Sequence, residues 1–195
     1  MFNKKVVKKL KKDLRIIKTE KNIRTALFSL LKSKSLEDIT VSELCRKANV
    51  NRGTFYLHYG NIQEVFKQTF EEIVEDLKIS YDEPYKQTND NINQLDANMI
   101  RIFDHVKRHQ NFYEIVFNER IPMTYYYSVF DRIRLLMSYS IEKPLKTITN
   151  INKDYLLSYQ TNAILGLLIQ WHRKNYETPV DELNQQLLKI INFPS

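Results

Sequence analysis

The chain has 195 residues, 43% of them hydrophobic, so it can bury a core and wholesale disorder is excluded. Only three glycines and five prolines are present, which disfavours a protein of strands and tight turns and favours long helices. One cysteine, Cys45, excludes an internal disulfide and a cysteine-based zinc site. The basic start lacks an apolar stretch long enough for a signal peptide, so we expect a cytoplasmic protein.

The charge is divided unevenly along the chain. Residues 1–60 hold 15 Lys and Arg against 5 Asp and Glu, a net charge of +10, whereas residues 61–195 hold 15 against 18, a net charge of −3. A basic module followed by a slightly acidic body indicates a polyanionic partner for one end of the chain only.

The first predicted element is a basic helix. Residues 1–18 are rich in lysine with apolar residues at three- and four-residue steps, which is compatible with either a solvated arm or a segment that contacts DNA. From Thr19 the pattern is firmer and predicts a helix that ends near residues 33–35. Its apolar stripe consists of Ile23, Ala26, Leu27, Leu30 and Leu31.

Two short helices follow. Residues 40–43 (TVSE) have the form of a capping box, in which the Thr40 hydroxyl accepts from the Glu43 amide. After the helix that this box opens, Asn49 tolerates a left-handed turn and Asn51 can cap a second helix over residues 52–59. Two capped helices joined by three residues predict a helix-turn-helix, whose second helix can enter the DNA major groove.

The rest of the chain has helical periodicity throughout. A helix over residues 62–80 and a polar loop over 81–91 precede further helices near 92–109, 111–118, 122–142, 153–175 and 180–192. We therefore predict an all-α fold with an N-terminal three-helix DNA-binding domain, residues 1–62, and a C-terminal helical ligand-binding and dimerisation domain, residues 63–195, connected by helix 62–80.

The run ITVSELCRKANVNRGTFYLHYGNIQEVF, residues 39–66, resembles the DNA-binding signature of the TetR/AcrR regulators. The resemblance covers roughly residues 19–70 and is strongest at TFYLHY, residues 54–59. It implies a helical homodimer, usually a repressor, that a small molecule bound in the C-terminal domain releases from a palindromic operator. The predicted partners are thus duplex DNA with an inverted repeat, a second copy of the chain and an unidentified small molecule, with no membrane and no cofactor.

The resemblance also implies individual DNA contacts. Base contacts are expected from Asn51, Arg52, Gly53 and Tyr56. Phosphate contacts are expected from Thr40, Ser42, Thr54 and His58. Where the family commonly has a lysine at the start of the fourth helix this chain has Ile62, so Lys67 or the lysine-rich arm is the candidate replacement.

Aromatic residues are concentrated between positions 103 and 139. Packing in the core accounts for most of these rings, and a few of them could instead line a pocket for an apolar or planar effector. The candidates for the pocket are Phe103, Tyr113, Phe117, Tyr126 and Phe130.

The predicted helix near residues 153–175 is apolar around most of its circumference, so we expect it to bury both sides, one of them against a second subunit. The interface candidates are Tyr155, Tyr159, Ala163, Gly166 and Leu167. The segment LLIQWHRKNYETPVDEL, residues 167–183, also resembles the C-terminal part of a TetR subgroup that includes a dihydroxyacetone kinase regulator.

Other functions have less support in the sequence. His105 and His109 lie four residues apart and could share a helix face, but no third ligand is apparent, so no metal site is expected. The sequence shows no phosphate-binding loop, nucleophile elbow or RNA-binding pattern, which disfavours an enzyme and an RNA-binding protein. A regulator or coactivator of the same fold that senses no ligand remains the alternative.

Overall fold

The computed structural model describes residues 4–88, 96–118, 121–140 and 151–192 of the chain. Within these ranges every regular element is a helix, which confirms the predicted all-α class. No helix among them is long and apolar enough to cross a membrane. The α-helices are α1 (Lys4–Leu31), α2 (Val41–Ala48), α3 (Arg52–Tyr56), α4 (Ile62–Gln87), α5 (Ile102–Arg108), α6 (Gln110–Val116), α7 (Met123–Ser140), α8 (Lys153–Arg173) and α9 (Val180–Ile191).

Some helix boundaries differ from those predicted. The lysine-rich arm is continuous with the helix that follows it, so that α1 begins at Lys4. The predicted loop over 81–91 is wrong in its first part, because α4 continues through Pro84 to Gln87. Ser80, within α4, and Thr88, directly after it, are both buried. Residues 89–95 lie outside the described ranges.

The predicted helix over 92–109 is shorter than expected within the described residues. A 3₁₀ turn, Ala97–Met99, comes first, and its amide at Asn98 donates to the Asp96 carboxylate at 2.8 Å. α5 then begins only at Ile102. The local side-chain bond at Asp96 competes with helix formation, which explains the late start.

The chain divides into two compact units, Met1–Glu71 and Glu72–Ser195, with the boundary inside α4. The first unit is built on the apolar stripe of α1. Ile23, Ala26, Leu27 and Leu31 are all buried, as the period of the sequence predicts, whereas Leu30 of the same stripe is half-buried. The residues from the other elements that complete this core are Leu36, Ile39, Leu44, Cys45, Ala48, Phe55, Tyr59, Ile62, Val65 and Phe66.

The second unit has an aromatic core. The Phe103 and Trp171 rings meet edge to face with their centroids 5.8 Å apart, and both side chains are buried. The Trp171 indole N–H donates to the Thr178 carbonyl at 3.0 Å, so that its one polar atom is satisfied. Between α7 and α8 the Arg134 guanidinium donates to the Asp154 carboxylate at 2.6 Å.

Candidate nucleic-acid interface

α2 begins at a capping residue, as predicted. The Thr40 hydroxyl accepts a hydrogen bond from the Glu43 amide at 3.2 Å. The Glu43 carboxylate accepts from the Lys34 ammonium at 2.7 Å, and this bond is the main cause of the lowered pKa of Glu43. Lys34 therefore ties the start of α2 to the segment that follows α1.

The turn between α2 and α3 is closed by two asparagines. Asn49 adopts the left-handed conformation (φ 53°, ψ 47°), which confirms the expectation that it tolerates such a turn at this position. Asn51 caps α3, because its side-chain oxygen accepts from the Thr54 amide at 2.7 Å. Phe55 is completely buried and anchors the helix in the core of its unit. Cap and anchor together determine which side of α3 faces solvent.

The predicted base-contacting residues all lie on the exposed side of this helix. Asn51, Arg52 and Gly53 are exposed, and the Tyr56 side chain is 52% exposed while its ring packs edge to face on Phe55. The sequence analysis did not single out Leu57, which is 84% exposed directly after the helix. A leucine directly after a short predicted recognition helix, close in sequence to the buried Phe55, is the signal that could have identified it.

The predicted phosphate-contacting residues differ in accessibility. Thr40 and Ser42 are exposed at the start of α2, and Thr54 is half-buried. The His58 side chain is only 12% exposed, and its Nδ1 lies 3.2 Å from the Glu20 carboxylate of α1. Lys67 is highly exposed on α4, where its ammonium lies 4.0 Å from the carboxylate of Glu71.

At the start of α4 this chain has Ile62 where the family commonly has a lysine, and the local packing shows the role of the isoleucine. Ile62 is buried, so no side chain projects from this position to a phosphate. The Glu64 carboxylate accepts from the Gly60 amide at 2.7 Å, and the Asn61 side chain accepts from the Glu64 amide at the same distance. These two hydrogen bonds occupy the Gly60 and Glu64 amides, and the Glu64 carboxylate adds a negative charge at the start of the helix. Both effects disfavour the binding of a DNA phosphate there.

Comparison with protein families matches both parts of the chain. Residues 23–69 match the family described as bacterial regulatory proteins, tetR family, and residues 93–193 match a transcriptional regulator C-terminal region of the same family. The chain belongs to the TetR family. Membership places it among transcription regulators rather than enzymes.

Individual relatives of this TetR family chain are distant. The uncharacterized HTH-type transcriptional regulator YxbF of Bacillus subtilis (strain 168) is 21% identical over 174 residues, which cover 89% of this chain and 44% of that relative. The chain therefore spans less than half the length of this curated relative.

Solved structures of similar fold cover nearly the whole chain. A TetR transcriptional regulator from Streptococcus agalactiae 2603V has a TM-score of 0.58 at 23% identity, covering 93% of this chain and 98% of that one. The fatty acid degradation regulator FadR from Bacillus halodurans has a TM-score of 0.63 at 14% identity, covering 88% and 93%. The dihydroxyacetone kinase operon activator DhaS has a TM-score of 0.57 at 18% identity with the same coverage.

The predicted effector-pocket residues of this TetR family chain fall into different surroundings. Phe103 and Tyr113 are fully buried, and the Tyr113 ring contacts that of Phe117 at a centroid distance of 5.7 Å. On α7, Tyr126 is half-buried with its ring against Tyr127, and Phe130 is half-buried. Of the five predicted pocket residues, Tyr113 and Phe117 are thus in ring contact with each other.

Two polar atoms lie near these rings without a hydrogen-bond partner among the described residues. They are the Tyr176 hydroxyl and Nδ1 of His172. The His172 ring contacts both Phe117 and Tyr176, with centroids 5.8 Å and 5.6 Å apart. Burial lowers the pKa of His172 and raises the pKa of Tyr176, so both groups are neutral near pH 7.

The predicted interface residues lie along one side of α8. Tyr155 and Tyr159 are 78% and 74% exposed, and Ala163 and Gly166 are also exposed. Leu167 is half-buried. The opposite side of α8 is packed inside its unit through Leu157, Thr161, Leu165, Leu168 and Trp171. Among the described residues of one copy, therefore, only one side of this helix is buried, and burial of the other side against a second subunit stays a prediction.

A polar cluster joins α4 to the α5–α6 segment; the sequence analysis noted its histidine pair but missed its other members. One oxygen of the Asp76 carboxylate lies 2.7 Å from Nδ1 of His105, 3.0 Å from Nε2 of His109 and 2.9 Å from the Arg108 guanidinium. Burial raises the pKa of Asp76, but these hydrogen bonds outweigh it and hold the pKa well below its usual range. Nε2 of His105 lies 2.9 Å from the Tyr113 hydroxyl, which completes the cluster.

Proposed function

We propose that this chain is a homodimeric, sequence-specific DNA-binding repressor that a small-molecule effector releases from an inverted-repeat operator. The observation that carries the proposal is the exposed side of α3, where Arg52 and Gly53 at the start and Tyr56 at the end are presented by a helix held in place by Asn51 and Phe55. An α-helix fits the major groove, about 12 Å wide, and the N-terminal residues of a recognition helix meet the base edges.

Chemistry at these positions supports base reading. The Arg52 guanidinium can form a bidentate pair with guanine O6 and N7. Gly53 allows the helix backbone to approach the groove closely. Exposed Leu57 adds an apolar group suited to the methyl group of thymine.

Phosphate contacts are supported by the start of α2. The Thr40 and Ser42 side chains are exposed there, at the positive end of the helix dipole. The net charge of +10 on residues 1–60 adds long-range attraction to DNA. His58 faces Glu20 and the start of α4 has its own cap, so we assign the main phosphate contacts to Thr40, Ser42 and Thr54, with Lys67 at the margin.

Dimerisation is supported by the unpartnered side of α8. Two highly exposed tyrosines, Tyr155 and Tyr159, lie in line with the small residues Ala163 and Gly166, beside which a second helix can approach closely. Sequence reading by a symmetric dimer requires two copies of α3 about 34–36 Å apart, the spacing of successive major grooves on one DNA face.

An effector is supported by the unpartnered polar atoms in the second unit. Buried polar groups are nearly always hydrogen-bonded, so the Tyr176 hydroxyl and the His172 nitrogen beside the rings of Tyr113 and Phe117 favour a small ligand with an aromatic or apolar part and a polar group. Phe103, Tyr126 and Phe130 remain candidates for lining the rest of the effector pocket. A ligand that prefers a conformer with differently spaced recognition helices lowers DNA affinity by linkage.

Activation is a second candidate, favoured by one comparison. The solved structure of DhaS, which covers 88% of this chain in fold, is described as that of an operon activator. In a ligand-independent regulator or coactivator, α3 and the α8 interface would have the same roles. No small molecule would then change the affinity for DNA.

Footprinting tests the proposal. Purified protein is used to recover fragments from a genomic DNA library, and the recovered fragments are footprinted at about 0.15 M salt. The expected footprint spans two successive major grooves with an inverted repeat, and it disappears on addition of a compound from an effector screen. A footprint that no compound affects favours the ligand-independent alternative, and uniform protection without a repeat contradicts sequence-specific binding.

A further inference from the structure

The Asp76 cluster brings three metal-ligating side chains together in the second unit. The ligand atoms of Asp76, His105 and His109 all lie within 4.8 Å of one another. The His109 amide donates to the His105 carbonyl at 3.0 Å, so the two histidines stand one helical turn apart at the end of α5. Histidines at i and i+4 on one helix face are a common pair of zinc ligands, and Asp76 of α4 supplies the third group.

The two ring nitrogens of His105 face different partners. The His105 side chain is completely buried, and its Nδ1 lies 2.7 Å from the Asp76 carboxylate. Its Nε2 lies 2.9 Å from the Tyr113 hydroxyl, a group that can either donate or accept. When Nδ1 of His105 binds a metal, Nε2 carries the proton and donates to Tyr113, which fixes the tautomer as outer partners of metal-bound histidines do.

The spacing between the ligand atoms is close to that of a coordinated metal. The carboxylate oxygen of Asp76 lies 2.7 Å and 3.0 Å from the two histidine nitrogens. Around a tetrahedral Zn²⁺ with bonds of about 2.0 Å, neighbouring ligand atoms are about 3.3 Å apart. All three ligand atoms lie within 4.8 Å of one another, so a Zn²⁺ ion requires the two oxygen–nitrogen distances to open by a few tenths of an ångström and the two histidine nitrogens to stand about 3.3 Å apart.

Arg108 is the group that competes with a metal. Its guanidinium donates to the same Asp76 oxygen at 2.9 Å and lies 3.3 Å from the Ser80 hydroxyl. The Arg108 side chain is 52% exposed, and an ion pair this exposed stabilises a protein only slightly, so the arginine can withdraw into solvent when a cation arrives. Asp76 and His109 are about one third exposed, which gives an ion access from the solvent side.

We propose that Asp76, His105 and His109 form a binding site for Zn²⁺ or a similar divalent transition metal. Two imidazoles and one carboxylate suit Zn²⁺, Co²⁺ and Ni²⁺, and three protein ligands leave at least one position for water or a small ligand. The site ties α4 to the end of α5. It is independent of the DNA-binding proposal, because none of its residues lies in the helix-turn-helix.

Cobalt titration of the full chain tests this site. Co²⁺ is added to chelator-treated protein and its visible d–d absorption is followed, with His109→Gln and Asp76→Asn as ligand variants and Asp131→Asn, at an exposed position on α7, as the matched control. These ligand positions are partly exposed, and circular dichroism in metal-free buffer establishes that each variant is folded. We expect one Co²⁺ per chain, an affinity loss of at least about tenfold in both ligand variants, and an unchanged affinity in the control.

Arg108→Gln adds a second measurement. Removal of the competing guanidinium is expected to leave the Co²⁺ affinity unchanged or to raise it, whereas a purely structural role for the cluster predicts no Co²⁺ absorption in any variant. Absence of d–d bands in the wild-type protein overturns the proposal. Bands that persist at equal affinity in His109→Gln overturn it as well, because the ion then binds elsewhere.

Discussion

The side-chain oxygen of Asn51 accepts a hydrogen bond from the Thr54 amide at 2.7 Å, and this bond closes the start of the five-residue helix α3. A helix this short has little stability of its own, so its geometry depends on the cap and on the buried ring of Phe55. The residues proposed to read DNA bases are thereby held in place by local chemistry.

Loss of this cap is expected to weaken both folding and DNA binding. Asn51→Ala removes the acceptor and lowers the free energy of unfolding by about 1 kcal/mol, measured by urea denaturation. Asn51→Ser is the matched control, because serine also caps helices. If Asn51 also contacts bases, as the family resemblance implies, the serine variant retains most of the stability and still binds the operator less tightly. Equal operator affinity for the wild type and Asn51→Ser would leave Asn51 with a capping role alone.

Gly53→Ala separates stability from DNA binding. A Cβ at this position meets only the Asn51 side-chain oxygen, at an ordinary 3.5 Å, and the backbone φ of Gly53 is not positive. Alanine favours a helix over glycine by up to about 1 kcal/mol, so the free energy of unfolding stays the same or rises. The added methyl group nevertheless obstructs close approach to the groove, and operator affinity measured by fluorescence anisotropy falls. An unchanged affinity would show that the backbone at Gly53 does not approach DNA.

The exposed side of α8 predicts a specific dimer defect. Tyr159→Lys places a charge on the proposed interface and raises the dimer dissociation constant at least about tenfold, measured by sedimentation equilibrium. Tyr127 on α7 is also more than half exposed, so Tyr127→Lys is a matched control that leaves the constant unchanged. A monomeric wild-type protein, or equal defects in both variants, would contradict the assigned interface.

Two buried tyrosines are expected to respond differently to loss of the hydroxyl. Tyr113→Phe breaks the contact with Nε2 of His105 and lowers the free energy of unfolding by about 1 kcal/mol or more. Tyr176→Phe removes a hydroxyl that has no partner among the described residues, so the free energy of unfolding stays the same or increases. Urea denaturation without ligand compares the two. A comparable loss in Tyr176→Phe would indicate that an ordered water binds this hydroxyl.

The helix-turn-helix could be predicted from the sequence because its determinants act over three or four residues. Thr40 accepts from the Glu43 amide, Asn49 takes the left-handed turn, and Asn51 accepts from the Thr54 amide, all within short segments. Each of these signals is independent of the rest of the fold. Their agreement with the apolar stripe of α1 is what made the prediction specific.

Features that depend on packing could not be predicted in the same way. Asp76 is separated from His105 by 29 positions, and only the approach of α4 to α5 brings the carboxylate to the histidine pair. The continuation of α4 beyond Pro84 was missed because proline normally ends a helix. The exposed side of α8 was anticipated only as an apolar surface in need of a partner.

Selection of bound sequences from a random DNA library, with wild type and Arg52→Ala compared at physiological salt, tests the central claim most directly. The wild type is expected to enrich an inverted repeat with half-sites about one helical turn apart. Arg52→Ala is expected to keep the repeat and its spacing but lose base preference at one position of each half-site, at a cost of about 1–3 kcal/mol in discrimination. Enrichment of no motif, or an equal loss of affinity for every sequence in Arg52→Ala, would contradict sequence reading by α3.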